Sequence, residues 1–217
     1  MNNKKDIPEK TIERLAMYRR LLSGLKEKGL EHLYSHQLAE FTRNTPAQIR
    51  RDIMMTDYVS NSRKGYDIED LIKKIDDTMA GPQKQKIALV GIGNLGRAIL
   101  AYFNNQHSAL SIVAAFDSDD AKVNRVIAGC RCYHIKDMEK KVKEEGIDLA
   151  IITVPGQHAQ EVADKLEAAG INGILNFAPV PLKLPDNVYT DRIDITTAIE
   201  KVAYFANNTN VRAAALI

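Results

Sequence analysis

Residues 91–96 read Gly91-Ile92-Gly93-Asn94-Leu95-Gly96, three glycines at the G-x-G-x-x-G spacing that binds the pyrophosphate of a dinucleotide. The first glycine permits a tight turn, the second lets backbone approach the pyrophosphate, and the third lets a helix pack closely on a strand. The helix that follows presents unpaired N–H groups and the positive end of its dipole to the phosphates. A lone match of this kind is weak, so its context decides. The apolar run Lys86 to Val90 precedes it and a helical pattern from Arg97 to Asn104 follows. A second apolar run, Ser111 to Phe116, then ends in Asp117, 21 residues beyond Gly96. There a carboxylate can accept hydrogen bonds from the adenine ribose hydroxyls. Asp119 and Asp120 would repel a 2′-phosphate, and no arginine stands at that strand end, so NAD or NADH is favoured over the phosphorylated cofactor.

A second constellation lies at residues 45–51. Thr45-Pro46-Ala47-Gln48 carries a helix start: Thr at the cap, Pro at the first helical position, and Gln three residues after the cap, able to bond back to the cap amide. Ile49 and Ile53 then define a buried stripe, so Ala47 and Arg51 point roughly opposite, with Gln48 and Arg50 flanking. A recognition helix uses such side chains: Arg pairs bidentately with guanine, Gln with adenine, and a small residue allows close approach or touches the thymine methyl. On periodicity alone, a plain three-helix bundle with a charged exterior is the alternative. Further on, Met55 to Tyr66 breaks the periodicity and carries Arg63 and Lys64 ahead of Gly65. This basic turn reads either as the wing of a winged module, set against minor groove or phosphates, or as an ordinary surface loop.

The elements that must position these groups follow from periodicity and punctuation. Pro8 opens a helix with Ile12, Leu15, Tyr18, Leu22 and Leu25 on one face. Ser35 can cap a short second helix with Leu38, Ala39 and Phe41 inward. After the third helix and the basic turn, Ile68 to Met79 forms a fourth with Leu71, Ile72 and Ile75 inward, and Ala80-Gly81-Pro82 reads as a linker. Strands and helices then alternate. Strands are expected at Lys86–Val90, Ser111–Phe116, Arg131–His134, Leu149–Val154, Ile174–Phe177 and Val188–Thr190, with helices at Met138–Glu145 and His158–Ala169. This is a doubly wound parallel sheet, whose strand ends Thr153-Val154-Pro155 and Asn176 to Pro179 are placed to line the nicotinamide half of a site. Taken alone, those Pro and Phe residues read equally as turn and core. A last helix, Ile193 to Asn207, carries Ile195, Ile199, Val202, Ala203 and Ala206 and must dock on its own domain or on a partner chain.

The expected organisation is a winged helix-turn-helix domain over 1–80, helical with a small β wing, an α/β Rossmann-type domain over 81–192, and a terminal helix and tail over 193–217. With 217 residues, 45% hydrophobic, 27% charged and a net charge of +2, the chain can bury a core and is neither disordered nor fibrous. No apolar run approaches the ~20 residues that span a bilayer. The polar start Met1 to Lys10 has no signal core, so a cytoplasmic location is expected. Residues 1–64 hold thirteen Lys or Arg against eight Asp or Glu, so the amino-terminal end is the basic one. Cys130 and Cys132 are too close for an ordinary disulfide and too few for a four-ligand zinc site; reduced thiols and no metal are expected.

A DNA-reading module ahead of a dinucleotide module suggests a sensor. A dehydrogenase needs a second domain to hold its substrate and a placed acid or base, and about 130 residues leave no room for one. His158, the one histidine near the nicotinamide side, reads as a surface residue at a helix start, and no catalytic residue is assigned. The competing readings are a small NAD(P)-dependent oxidoreductase with a basic helical appendage, and a winged-helix regulator answering another nucleotide-bearing ligand such as a coenzyme A thioester.

Ile7-Pro8-Glu9, Thr45 to Asp52, Gly65-Tyr66-Asp67, Ala88 to Arg97, Ala114 to Asp117, Thr153 to Pro155 and Gly173 to Pro179 together resemble the family of redox-sensing transcriptional repressors called Rex, across roughly residues 7–206. The resemblance implies a homodimer that holds palindromic operator DNA when NADH is scarce and leaves it when NADH binds. It also implies a last helix swapped between subunits. By position, Gly91, Ile92, Gly93, Asn94, Leu95 and Gly96 would hold the pyrophosphate and Asp117 the ribose, with Thr153, Val154 and Pro155 lining the site and Phe177 near the nicotinamide. The expected DNA-facing set is Ser35, Thr45, Ala47, Gln48, Arg50, Arg51, Arg63, Lys64, Gly65 and Tyr66. Arg20, Tyr102 and Asp194 match the family's interdomain switch contacts. The departure lies in Met54 to Lys64, which keeps the family's wing length but lacks most of its glycines and aromatics.

Overall fold

The computed structural model of the chain describes residues 7–59, 64–79, 84–104 and 110–214. The chain divides into two compact units, Met1–Gln83 and Lys84–Ile217.

In the first unit α1 (Glu9–Glu27), β1 (His32–Leu33), α2 (Ser35–Phe41), α3 (Pro46–Met54), β2 (Tyr66–Asp67) and α4 (Ile68–Met79) follow in order. Leu15, Tyr18 and Leu22 of α1 meet Leu38, Ile49, Ile53, Leu71 and Ile75 in one buried cluster, as the helical spacing expects. Two local expectations change. Tyr34, not Ser35, caps α2, because Gln37 Oε1 accepts the Tyr34 N–H at 2.7 Å and closes the first turn one residue earlier. Phe41 is 56% exposed, since α2 has only two turns and Leu38 alone points fully into the core. The strand after the basic turn pairs antiparallel with β1 (His32↔Asp67, Leu33↔Tyr66), while residues 60–63 of the expected wing hairpin lie outside the described residues. That pairing depends on Gly65: its φ is +79°, and a Cβ there would stand 2.6 Å from the Leu33 carbonyl oxygen.

The second unit runs β3 (Gln85–Val90), α5 (Asn94–Asn104), β4 (Leu110–Asp117), β5 (Val126–Ile127), β6 (Cys130–His134), a 3₁₀ turn (Ile135–Asp137), α6 (Met138–Glu145), β7 (Leu149–Ile152), α7 (Gly156–Ala168), β8 (Gly173–Asn176), β9 (Tyr189–Arg192) and α8 (Ile195–Ala214). The sheet order is β5-β6-β4-β3-β7-β8-β9, parallel except for the β5–β6 hairpin. The chain therefore reverses direction across the sheet at β3, and the loops leaving β3 and β7 diverge around a crevice. Val90, Phe116, Ile152, Val162 and Leu166 are buried with α6 and α7 on one face; Leu89, Ile92, Leu100 and Cys132 are buried on the α5 face. Burial on both faces is why these strands read as continuous apolar runs. Both cysteines are free and buried, and burial, helped by neighbouring Cys132, pushes the Cys130 thiol up to about 11, far from reactivity.

α8 contrasts with every other helix. Its residues from Ile195 to Asn207 are all exposed, with Ile199 at 64% and Val202 at 67%. Among the described residues no helix is long and apolar enough to cross a membrane, and no group of three or more His, Cys, Asp or Glu could hold a metal ion.

Candidate nucleotide cleft and nucleic-acid interface

The carboxyl ends of β3, β4 and β7 open into a cleft of about 660 Å³, lined by Gly91, Gly93, Asn94, Leu95, Asp117, Lys122, Thr153, Val154 and Pro155 among others. The three glycines differ in what they face. Gly91 has φ +97° and a Cβ would lie 2.9 Å from the Thr153 carbonyl; a Cβ at Gly96 would run into the Gly91 carbonyl. Both are required by the protein's own backbone. A Cβ at Gly93 would meet nothing within 4 Å, so no protein atom demands a glycine there. Gly93 lines the cleft all the same, so its backbone is open to whatever enters there. α5 begins at Asn94, within the glycine loop, which leaves its first-turn N–H groups at the cleft edge. Thr153 Oγ1 donates to the Gly91 carbonyl at 2.6 Å and ties the β7 loop to the glycine turn.

Asp117 sits at the end of β4, buried. Its Oδ2 accepts the Ile92 N–H at 2.7 Å and the Lys122 ammonium at 3.1 Å, and its Oδ1 accepts the Asp119 N–H at 2.9 Å. Burial alone would push its carboxyl up, but the Asp119 and Ile92 N–H groups and the Lys122 ammonium outweigh it and hold it below the ordinary carboxylate value. The Lys122 ammonium is shifted the other way, upward: burial opposes its charge, and Asp117 and Asp119 more than compensate. Two consequences follow for the sequence reading. The Ile92 N–H is committed to Asp117 and is not available to a phosphate, so Ile92 shapes the site without a free donor. Lys122, which the sequence reading missed, adds a donor beside the carboxylate; an Asp followed by Lys five residues later gave no helical or strand spacing that joins them. Phe177 is half-buried against the α5-side cluster and does not line the cleft. His158 lines the α7 wall, exposed, within 3.1 Å of Gln157 Nε2.

In the first unit, Thr45 Oγ1 accepts the Gln48 N–H at 3.2 Å and starts α3 as expected. The reciprocal half of the capping box is absent: Gln48 Nε2 donates instead to Asp52 Oδ1 at 2.9 Å. Asp52 is the residue that periodicity left unassigned. Three residues after Ile49, it lies on the buried stripe and also accepts from Arg14 and Tyr18. Burial pushes its carboxyl up, but bonds from Arg14, Gln48 and Tyr18 prevail and hold it low. Thr45, Ala47, Arg50 and Arg51 are exposed, and Gln48 is half-buried. Arg50 Nη1 donates to Ser35 Oγ at 3.0 Å, linking α3 to the start of α2. Lys64 is exposed, while Arg63 lies outside the described residues. Tyr66 is a correction: its ring is buried, edge-on to Tyr58, because β2 turns it into the core.

Of the three expected switch residues, Arg20 lies in the first unit and Tyr102 and Asp194 in the second. Arg20 is exposed on α1, and Tyr102 is 57% exposed on α5 with its ring edge-on to Phe103. Asp194 caps α8, accepting the Thr197 N–H and hydroxyl, each at 3.0 Å.

A helix-turn-helix unit with an exposed cationic and amide helix face, ahead of a Rossmann unit with an anion-ready cleft, is the architecture of a nucleotide-responsive transcription regulator. The comparisons agree. A family model described as "CoA binding domain" matches residues 82–180, and one described as "Putative DNA-binding protein N-terminus" matches residues 6–53. The redox-sensing transcriptional repressor Rex of Listeria welshimeri is 38% identical over 93% of this chain and 94% of its own length. That of Limosilactobacillus reuteri is 41% identical over 96% and 97%. The crystal structure of RSP, a Rex-family repressor, superposes with a TM-score of 0.85 at 26% identity, covering 97% of this chain and 99% of that one. RSP in complex with β-NAD+ and operator DNA gives 0.87 at 27% identity over 96% of each. The chain belongs to the Rex family of redox-sensing transcriptional repressors.

Proposed function

We propose that this chain acts as a homodimer on palindromic operator DNA and is released from it by NADH, reporting the NADH to NAD ratio in the cytoplasm without catalysing a reaction. The observation that carries this is Gly93, a glycine the protein's own packing does not need, set over a cleft with Asp117 at one end. The complexes of RSP with β-NADH and with β-NAD+ and operator DNA support it. The loop from Gly91 to Gly96 holds the pyrophosphate through its N–H groups other than that of Ile92, which shapes the loop by its bond to Asp117; Asp117 and Lys122 take the ribose hydroxyls as acceptor and donor. Beside apolar Val154 and Pro155, the uncharged reduced nicotinamide is favoured over the cationic oxidised ring, which loses more hydration on entry.

DNA contact falls to Thr45, Ala47, Gln48, Arg50 and Arg51, with Ser35 behind Arg50, and to Arg63 and Lys64 at the wing, where Gly65 permits the strand crossing. In a dimer the two α3 helices must sit about one DNA turn, ~34 Å, apart to read half-sites on one face. A ligand shifts DNA affinity only through its preference for one dimer shape, and a preference of ~3 kcal/mol gives roughly 150-fold control. The exposed stripe of Ile195, Ile199 and Val202 supports exchange of residues 193–217 between subunits, and Arg20, Tyr102 and Asp194 are assigned to the contacts that change between shapes. The working domains are then 1–80, 81–192 and 193–217.

The direct test of the ligand is fluorescence of bound reduced nicotinamide, with NAD, NADPH and acetyl-coenzyme A as competitors. NADH should bind well ahead of the other three. Displacement by acetyl-coenzyme A at lower concentration than by NAD would transfer the cleft to another nucleotide-bearing ligand.

A further inference from the structure

We propose that Asp52 is a positioning residue for sequence recognition: fixed beneath α3, it orients the Gln48 amide to read an adenine in each operator half-site. The inference rests on α3 being the recognition helix of the proposed function. The Asp52 side chain is 1% exposed and receives four donors. Arg14 Nε and Tyr18 OH reach Oδ2 at 2.7 and 3.0 Å, and Arg14 Nη2 and Gln48 Nε2 reach Oδ1 at 2.7 and 2.9 Å. A carboxylate is acceptor-only with about four lone-pair sites, so all of them are filled. Bidentate Arg14 and Tyr18 already join α1 to α3, and the fold would need no more. The bond to Gln48 is an addition on the edge of the face that points outward.

That bond decides which way the Gln48 amide lies. Its carbonyl cannot face a carboxylate, so the nitrogen end must, and the carbonyl is directed elsewhere. A primary amide carries one N–H beside its carbonyl and one on the far side. An adenine edge is read by the carbonyl, accepting from N6, and an N–H, donating to N7. The N–H beside the carbonyl suits that second bond, and the far N–H is the one Asp52 can hold without loss of reading capacity. Gln48 is thereby ordered before DNA arrives, so less side-chain freedom is lost on binding. The carboxylate itself, buried and saturated, never meets a phosphate.

The test selects binding sites from a random duplex library with the full-length wild type, Gln48→Leu, Gln48→Glu and Asp52→Asn, each checked for folding by circular dichroism. The wild type should select a palindrome with an adenine at one symmetric position. Gln48→Leu should lower preference at that position alone by roughly tenfold. Gln48→Glu, repelled by Asp52 and able only to accept, should move it toward cytosine, and Asp52→Asn should relax the same position while the others hold. Because Asp52→Asn could unfold the domain, the wild-type protein without DNA supplies a second measurement. The nitrogen-bound proton spectrum of the Gln48 side chain should show one amide proton shifted and protected from exchange. Two averaged, unprotected protons would overturn the proposal. So would a selected motif that every variant keeps, or uniform weakening at all positions in Asp52→Asn. If the wild type selects no motif at all, the assignment of α3 fails first.

Discussion

The nucleotide cleft and the α3 face are built on opposite principles. At the cleft the backbone does the positioning: the Gly91 turn and the Gly96 approach leave glycine alone acceptable at those two places, and α5 starts between them. At the α3 face side chains do it, through Asp52 and its four donors and through Arg50 on Ser35. Backbone constraints admit few sequences, so a cleft of this kind can be read from a string of letters. Side-chain networks admit many, and their partners lie far apart in the chain, as Arg14 and Asp52 do.

Substitutions can break or sharpen that contrast. The largest effect is expected at Gly96→Val, where the added side chain drives into the Gly91 carbonyl; the second unit should lose most of its stability in urea denaturation. Gly93→Ala should unfold with wild-type stability yet lose NADH binding, because its methyl group would touch no protein atom while the residue lines the cleft. Equal destabilisation by the two would erase the distinction between a glycine needed by the fold and one needed by the ligand. Asp52→Ala should follow, taking the shared acceptor from half-buried Arg14 and from buried Tyr18 and destabilising the first unit by about 1–3 kcal/mol.

The same pair makes a pH prediction. Because the Asp52 carboxyl is held below its unfolded value, its contribution is fully present above the unfolded carboxylate range near pH 4 and is lost as pH falls through the lower folded value. Urea midpoints of the first unit should drop on acidification below pH 4, and the drop should shrink in Asp52→Asn. A smaller effect is expected of Arg51→Ala, which should weaken operator binding by about 1–3 kcal/mol and leave NADH binding unchanged. Least of all, Lys122→Ala should weaken NADH a few-fold, less than Asp117→Ala, since the Ile92 and Asp119 N–H groups still hold Asp117 in place.

Much of the fold was legible for physical reasons. Periodic apolar faces gave α1, α3 and α4, and runs buried on both sides gave β3, β4 and β7. The misses have causes as particular. The β5–β6 hairpin turns through Ala128 and Gly129 at φ +45° and +79°, and an alanine in the left-handed region carries no sequence signal. Phe41 was apolar on the expected face, but α2 is too short to bury it. Tyr66 stood next to a basic turn and was read as part of it, whereas pairing with β1 turns it inward. Lys122 and Asp52 became visible only once the chain brought their partners to them.

The central claim, that one ligand couples the cleft to the DNA-reading face, is tested most directly by fluorescence anisotropy of the protein on a labelled palindromic operator selected by the wild type, titrated with NADH and separately with NAD. Release by NADH at concentrations where NAD leaves the complex intact, abolished in Gly93→Ala, is the predicted result. An operator complex indifferent to both nucleotides, in a protein that binds each of them, would contradict it.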